Sequence, residues 1–202
     1  MKVYAGKGAP SKTGRGIFAG AFLDRFPLLP AEEEGRLHDP RLRENFLERV
    51  FALKRWRAAL AGGQTAGRLV DFHTREKLLL LAHSPDHYRR LGKIVAGDGK
   101  TPLKRRFKKY QDLFLETLGR KATAKKNANV LMHVLGYFKK DLSSDEKHEI
   151  LEVIEAYRNG LTSLLVPVTL LKHFVRKYDQ PYLKNQTYFH PHPVELKLRT
   201  WS

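Results

Sequence analysis

The stretch Leu69-Val70-Asp71-Phe72-His73-Thr74-Arg75-Glu76-Lys77-Leu78-Leu79-Leu80-Leu81-Ala82-His83-Ser84-Pro85 decides the architecture. Its first fifteen residues read as one helix, and Ser84-Pro85 ends it. Ser84 then caps a second helix with Pro85 at the first helical position, running through Tyr88, Leu91 and Val95 to Gly97. Working outward, Thr101-Pro102 opens a helix carrying Leu103, Phe107, Tyr110, Phe114 and Leu118 at three- and four-residue spacing. A fourth helix is expected over 122–142. Ser143-Ser144-Asp145-Glu146 is a capping-box pattern opening a fifth, which reaches Asn159-Gly160. A sixth covers 163–178, with Pro167 at its first turn or kinking it. The segment 187–193 holds two X-Pro bonds and predicts an extended arm.

Composition shifts at Gly62-Gly63-Gln64-Thr65-Ala66-Gly67. Upstream, Asp39-Pro40 starts a helix whose Leu42, Phe46, Val50, Leu53 and Trp56 share one face. Residues 1–35 are rich in Gly and Pro. Ile17 to Leu23 read as a short helix and Phe26 to Ala31 as a brief extended segment, together the tail of an α/β unit. The expected fold is mainly α: a helical bundle of about six helices, preceded by a short α/β remnant. Residues 1–38 form the remnant, 39–63 a helical linker and 64–202 the all-α domain.

The chain has 202 residues, 42% of them hydrophobic, enough to bury a core. No apolar run approaches the ~18 residues of a membrane span. No basic amphipathic helix with aromatic anchors suggests a membrane surface. Met1-Lys2-Val3-Tyr4 has no apolar signal core, so a cytoplasmic location is expected. The absence of cysteine excludes disulfides, thiolate nucleophiles, thiolate zinc sites and Cys-ligated iron–sulfur clusters, and no cofactor is expected in this chain. Thirty-eight Lys+Arg against twenty-one Asp+Glu give a net charge of +17, the balance of a partner for nucleic acid or another polyanion.

The basic residues concentrate between Lys100 and Lys126, ten against two acidic ones. Lys104, Arg105, Arg106, Lys108 and Lys109 interleave with Phe107 and Tyr110, a pattern suited to phosphate contacts. Arg120, Lys121, Lys125 and Lys126 flank a helix N-terminus, which adds backbone donors for phosphate. Asp71, His73, His83, His133 and His173 are the candidates for a polar pocket. Asp71 and His73, two apart, face different directions, and Asp71 with Arg75 reads as a surface pair. His83 and His87 have the spacing of paired ligands, but Ser84-Pro85 intervenes and no Glu lies between them, so structural roles are expected. His133 and His173 sit among apolar residues and read as core histidines compatible with one shared pocket. No metal site is expected; His190-Pro191-His192-Pro193 is a weak metal signal, and neither standard Gly-rich phosphate loop occurs.

The segments 69–84, Asn129-Val130-Leu131 with His133 and Gly136-Tyr137-Phe138-Lys139, Pro167-Val168-Thr169-Leu170-Leu171-Lys172-His173, and Tyr182-Leu183 with Gln186-Thr187-Tyr188 closely resemble the YbgA family, as does Pro191-His192-Pro193-Val194-Glu195-Leu196. Lys2-Val3-Tyr4, Gly16-Ile17-Phe18-Ala19, 28–37 and Leu42-Arg43-Glu44-Asn45-Phe46 resemble the last third of a TudS-type desulfidase domain. The pairing is similar to the RudS architecture. That resemblance implies sulfur removal from 4-thiouridine in transfer RNA, with an iron–sulfur cluster in the catalytic half and RNA held by the helical module. The chain has none of the cysteines such a cluster needs, so it looks like a desulfidase truncated within its catalytic domain, and no catalytic residue is carried over. Three readings stand: a module binding RNA, transfer RNA in particular; a helical domain with its own acid–base activity; and a partner module whose N-terminal segment meets a separate catalytic protein.

Overall fold

Ser84 both ends one helix and starts the next: its N–H donates to the Leu80 carbonyl, while its hydroxyl accepts from the His87 N–H at 3.3 Å. The same logic of caps divides the rest of the chain. The computed structural model describes residues 16–193 together with 196, 198 and 199. Lys2-Val3-Tyr4, the Gly-rich stretch 6–15, and Val194 and Glu195 of the C-terminal motif lie outside the described residues. The helices are α1 (Ile17–Arg25), α2 (Pro40–Ala61), α3 (Ala66–His83), α4 (Pro85–Ala96), α5 (Leu103–Gly119), α6 (Ala124–Leu135), α7 (Ser144–Arg158), α8 (Leu165–Lys177) and the single turn α9 (Pro181–Lys184). Short 3-10 segments occupy Glu34–His38, Gly136–Phe138 and Thr187–Phe189. The fold is mainly α, and the six long helices beyond residue 64 are the expected bundle. No helix among the described residues is long and apolar enough to cross a membrane.

Asp39 caps α2 through Arg41 N–H and Leu42 N–H, Thr65 caps α3, and Ser143 with Glu146 closes the capping box of α7. Each such cap is worth about 1 kcal/mol. Pro167 lies in the first turn of α8, where its missing N–H costs nothing. The fourth helix is shorter than expected, because the backbone tightens into a 3-10 turn at Gly136 and the Phe138 carbonyl accepts from Asp141 and Leu142.

α3 is the axis of the fold, packed against α2, α4, α5 and α6. Trp56 of α2 is buried among Phe72 of α3 and Phe107, Tyr110 and Phe114 of α5, with ring centroids 4.9–6.1 Å apart. Its indole N–H donates to Gln111 Oε1 at 2.7 Å, so the polar end is satisfied as well. Val130, Leu131 and Val134 of α6 continue this core toward Ile150 and Ile154 of α7 and Leu171 and Phe174 of α8.

Two expectations are corrected. The segment 26–31 is a turn, with Leu29 N–H donating to Phe26 O, and no strand occurs among the described residues, so no α/β remnant is seen there. The C-terminal segment is not an extended arm. Tyr188 and Phe189 are buried in the core, and Gln186 accepts from Leu78 N–H and donates to Thr74 O. Glu76, buried on α3, holds this segment further: it accepts from Thr187 Oγ1 at 3.0 Å and from both ends of the Arg55 guanidinium, while Arg55 also donates to Pro191 O. By contrast α1 contributes no buried residue, and Ile17 and Phe18 are 95% and 83% exposed.

Candidate functional site

α4 and α5 pack side by side, and their outer faces carry the basic residues. Phe107 and Tyr110 point into the core, so Lys104, Arg105 and Lys109 project to solvent. Lys108 is exposed and paired with Asp112 at 2.8 Å. Arg106 turns the other way. Its guanidinium donates to the carbonyls of Ile94 and Val95, closing the C-terminus of α4, where a cation meets the negative end of the helix. It is therefore a cap and not a free phosphate contact. On the neighbouring α4, Arg89, Arg90 and Lys93 are exposed as well, cations that sequence reasoning missed. Their signal was present: Tyr88, Leu91 and Val95 define the inner face and leave 89, 90 and 93 outside.

The second basic group behaves similarly. Arg120, Lys121 and Lys125 are exposed, with Arg120 3.6 Å from Glu116. Lys126 folds inward, donating through Nζ to His83 O at 2.7 Å and Lys121 O at 3.3 Å, so it caps the end of α3. Burial, and then the charge of Arg120, holds its pKa below the usual lysine range.

The five candidates for one polar pocket do not converge. Asp71 is exposed, and no ion pair joins it to Arg75. His133 and His173 are exposed and are not core histidines: on α6 the inward set is Val130, Leu131, Val134 and Leu135, and on α8 it is Val168, Leu171, Phe174 and Val175. Apolar neighbours suggested burial; the helical phase puts both rings outside. His73 is buried, its ring parallel to Tyr88 with centroids 5.7 Å apart and Nδ1 3.1 Å from the Tyr110 hydroxyl. Burial, aided by Lys77, lowers its pKa to about 4, so it is neutral at pH 7. His83 and His87 diverge, to Glu48 and to Glu116.

His83 leads to a cleft of about 540 Å³ between α2, the ends of α3 and α7, the start of α6 and the C-terminal segment. Its floor is an ion cluster. Glu44 and Glu48, one turn apart on α2, both accept from the buried Arg199 guanidinium at 3.1 Å. Arg199 Nη1 also donates to Tyr188 O at 2.7 Å. His83 Nδ1 faces Arg120 O at 2.5 Å and Nε2 faces Glu48 Oε2 at 3.2 Å. Burial works to raise the pKa of Glu48, but His83 and Arg199 outweigh it and bring it to about 2. Beside the ions, the Tyr188 hydroxyl donates to Asn127 Oδ1 at 3.0 Å, and Asn127 Nδ2 donates to the Tyr157 hydroxyl at 3.2 Å. Arg41, Lys121 and Arg158 line the same cleft with exposed side chains. Sequence reasoning missed Glu44, Glu48, Asn127, Tyr157, Tyr188 and Arg199. Among the described residues no group of three or more His, Asp or Glu is arranged to hold a metal ion.

Fold and site together define a class: a strongly basic all-helical domain with exposed cations on adjacent helices and a polar cleft floored by buried ions. The family described as "Protein of unknown function (DUF1722)" matches residues 77–193. "Uncharacterized protein YbgA" of Escherichia coli (strain K12) is 36% identical over 160 residues, covering 79% of this chain and 95% of that protein. The chain belongs to the DUF1722 family, the YbgA-like group its motifs resemble. No solved structure matches it.

Proposed function

We propose that this chain is an RNA-binding helical module, with transfer RNA as its ligand class. The observation that carries the reading is the packed pair α4 and α5, on which Arg89, Arg90, Lys93, Lys104, Arg105 and Lys109 are all exposed, in a chain of net charge +17. Each such cation that meets a phosphate releases condensed counterions, which is the main source of affinity for RNA backbones. The choice of transfer RNA, and a role beside a 4-thiouridine desulfidase, rest on the resemblance of residues 1–46 to the end of a TudS-type domain. In this reading sulfur chemistry belongs to a catalytic half outside this chain, since no thiolate is available here. The exposed Ile17 and Phe18 of α1 supply a protein contact to that half.

A gel-shift titration with transfer RNA tests the reading. Lys104→Glu, Arg105→Glu and Lys109→Glu together should weaken binding at least tenfold, with Arg106 left in place because it caps α4. Unchanged affinity would refute it.

A further inference from the structure

We propose that Arg49, in a groove between residues 27–30 and the end of α5, is a binding site for a carboxylate carried on an apolar body. The site is separate from the cations proposed to meet RNA and does not depend on them. Arg49 lies on α2 and is half-buried. It lines two grooves that also share Pro27, one of about 510 Å³ against α5 and one of about 460 Å³ against residues 23–31. Both volumes fall within the ~300–1,000 Å³ of small-ligand sites. The guanidinium makes no hydrogen bond or ion pair with any described residue. Burial holds its pKa below the usual arginine range, against the nearby charge of Glu32.

The carboxylates around it are engaged elsewhere. Glu32 accepts from Arg36 Nε at 2.6 Å and Asp112 from Lys108 Nζ at 2.8 Å. Glu116 faces His87 Nε2 at 3.0 Å and Arg120 at 3.6 Å. Asp24, which lines the smaller groove, is exposed and makes no ion pair with Arg49. A cation drawn partly out of water without a partner is penalised, and an incoming anion removes that penalty. The walls decide which anion. Pro27, Leu28, Pro30 and Leu115 line the larger groove, so the body that carries the charge is apolar. A planar guanidinium matches a carboxylate through two parallel N–H···O bonds. RNA fits less well, because the phosphates flanking one at Arg49 would approach Asp112 and Glu116 in the same groove.

Titration of the full chain with phenylbutyrate, followed by calorimetry and by the Arg49 Nε–H resonance, tests the site. Phenylbutyrate should bind at least fivefold more tightly than phenylbutanol, which lacks the charge, or inorganic phosphate, which lacks the apolar body. Arg49→Gln should abolish binding without lowering the thermal midpoint, because Arg49 has no partner in the fold to lose. Arg49→Lys keeps the charge but not the fork, should weaken binding at least threefold, and serves if the glutamine variant does not fold. The blocked peptide acetyl-Leu-Glu-Leu-amide separates the two sources of such a carboxylate. Tighter binding than phenylbutyrate, lost when Gln replaces its Glu, assigns the site to an acidic side chain of a partner protein. Weaker binding assigns it to a free acid. No binding of either probe would overturn the site, as would unchanged affinity in Arg49→Gln. Phosphate bound as tightly as phenylbutyrate would overturn the choice of an apolar carboxylate. Transfer RNA affinity lowered at least threefold by Arg49→Gln would give the guanidinium to an RNA phosphate and overturn the proposal.

Discussion

Arg199 and Glu48, 151 residues apart in sequence, meet at 3.1 Å in the buried floor of the cleft, both nearly inaccessible to solvent. The contact ties the C-terminal segment to α2 and closes the fold around α3. Breaking a buried pair by removing one partner leaves an uncompensated charge, so Arg199→Met should destabilise the chain by about 3–5 kcal/mol. Because Glu44 shares the same guanidinium, adding Glu44→Gln and Glu48→Gln to Arg199→Met should recover a good part of that loss. Denaturant unfolding measures both. An Arg199→Met chain as stable as the parent would mean that the pair does not hold the fold together.

The acid limb of stability follows from Glu48. Its pKa falls from 4.5 to about 2 on folding, so its contribution is fully present above pH 4.5 and is lost as pH drops through about 2. The Glu48→Gln chain should therefore show a flatter decline of stability between pH 4.5 and 2 than the parent, measured by urea unfolding across that range. Parallel declines would contradict the assignment.

His73 acts at higher pH. Burial lowers its pKa from 6.5 to about 4, so the unfolded chain binds a proton that the folded chain refuses, and stability falls as pH drops from 6.5 toward 4. His190 and His192 are lowered by burial too and push in the same direction. His73→Gln should shrink the stability slope between pH 6.5 and 4.5 without abolishing it. A variant with the full parental slope would place the titration elsewhere.

Gly97 ends α4 at φ +76° and ψ 167°, a conformation that L side chains avoid, and a Cβ there would lie 2.8 Å from the Arg106 guanidinium. Gly97→Ala should cost about 1–3 kcal/mol and release Arg106 from its cap. Thermal unfolding checks it; a chain unchanged in stability would show that the turn tolerates a side chain.

Much of this architecture was legible because its signals are local. Ser84-Pro85 and the Ser143–Glu146 box mark helix ends by chemistry confined to four residues, and the structure keeps both. The C-terminal segment was misread because its burial depends on Gln186 and Thr187 meeting α3 more than 100 residues earlier. The ion cluster escaped for the same reason: Glu44 and Glu48 at one-turn spacing look like a solvated face until Arg199 and His83 arrive from elsewhere in the chain. Arg106 and Lys126 show a different limit. Their long stems turn inward to cap neighbouring helices, and composition cannot tell a capping cation from one aimed at a phosphate.

The central claim, that the α4–α5 face binds RNA phosphates, is tested most directly by the salt dependence of transfer RNA affinity. The parent chain is compared with two triple variants of equal charge change, Lys104→Glu/Arg105→Glu/Lys109→Glu and Arg43→Glu/Lys54→Glu/Arg57→Glu, the latter exposed on α2. Each lost phosphate contact removes roughly 0.7–0.9 from the slope of log affinity against log salt. The account predicts a slope shallower by about two for the first variant and near-parental for the second. Equal slopes for the two variants would contradict it, because affinity would then follow net charge alone and not this face.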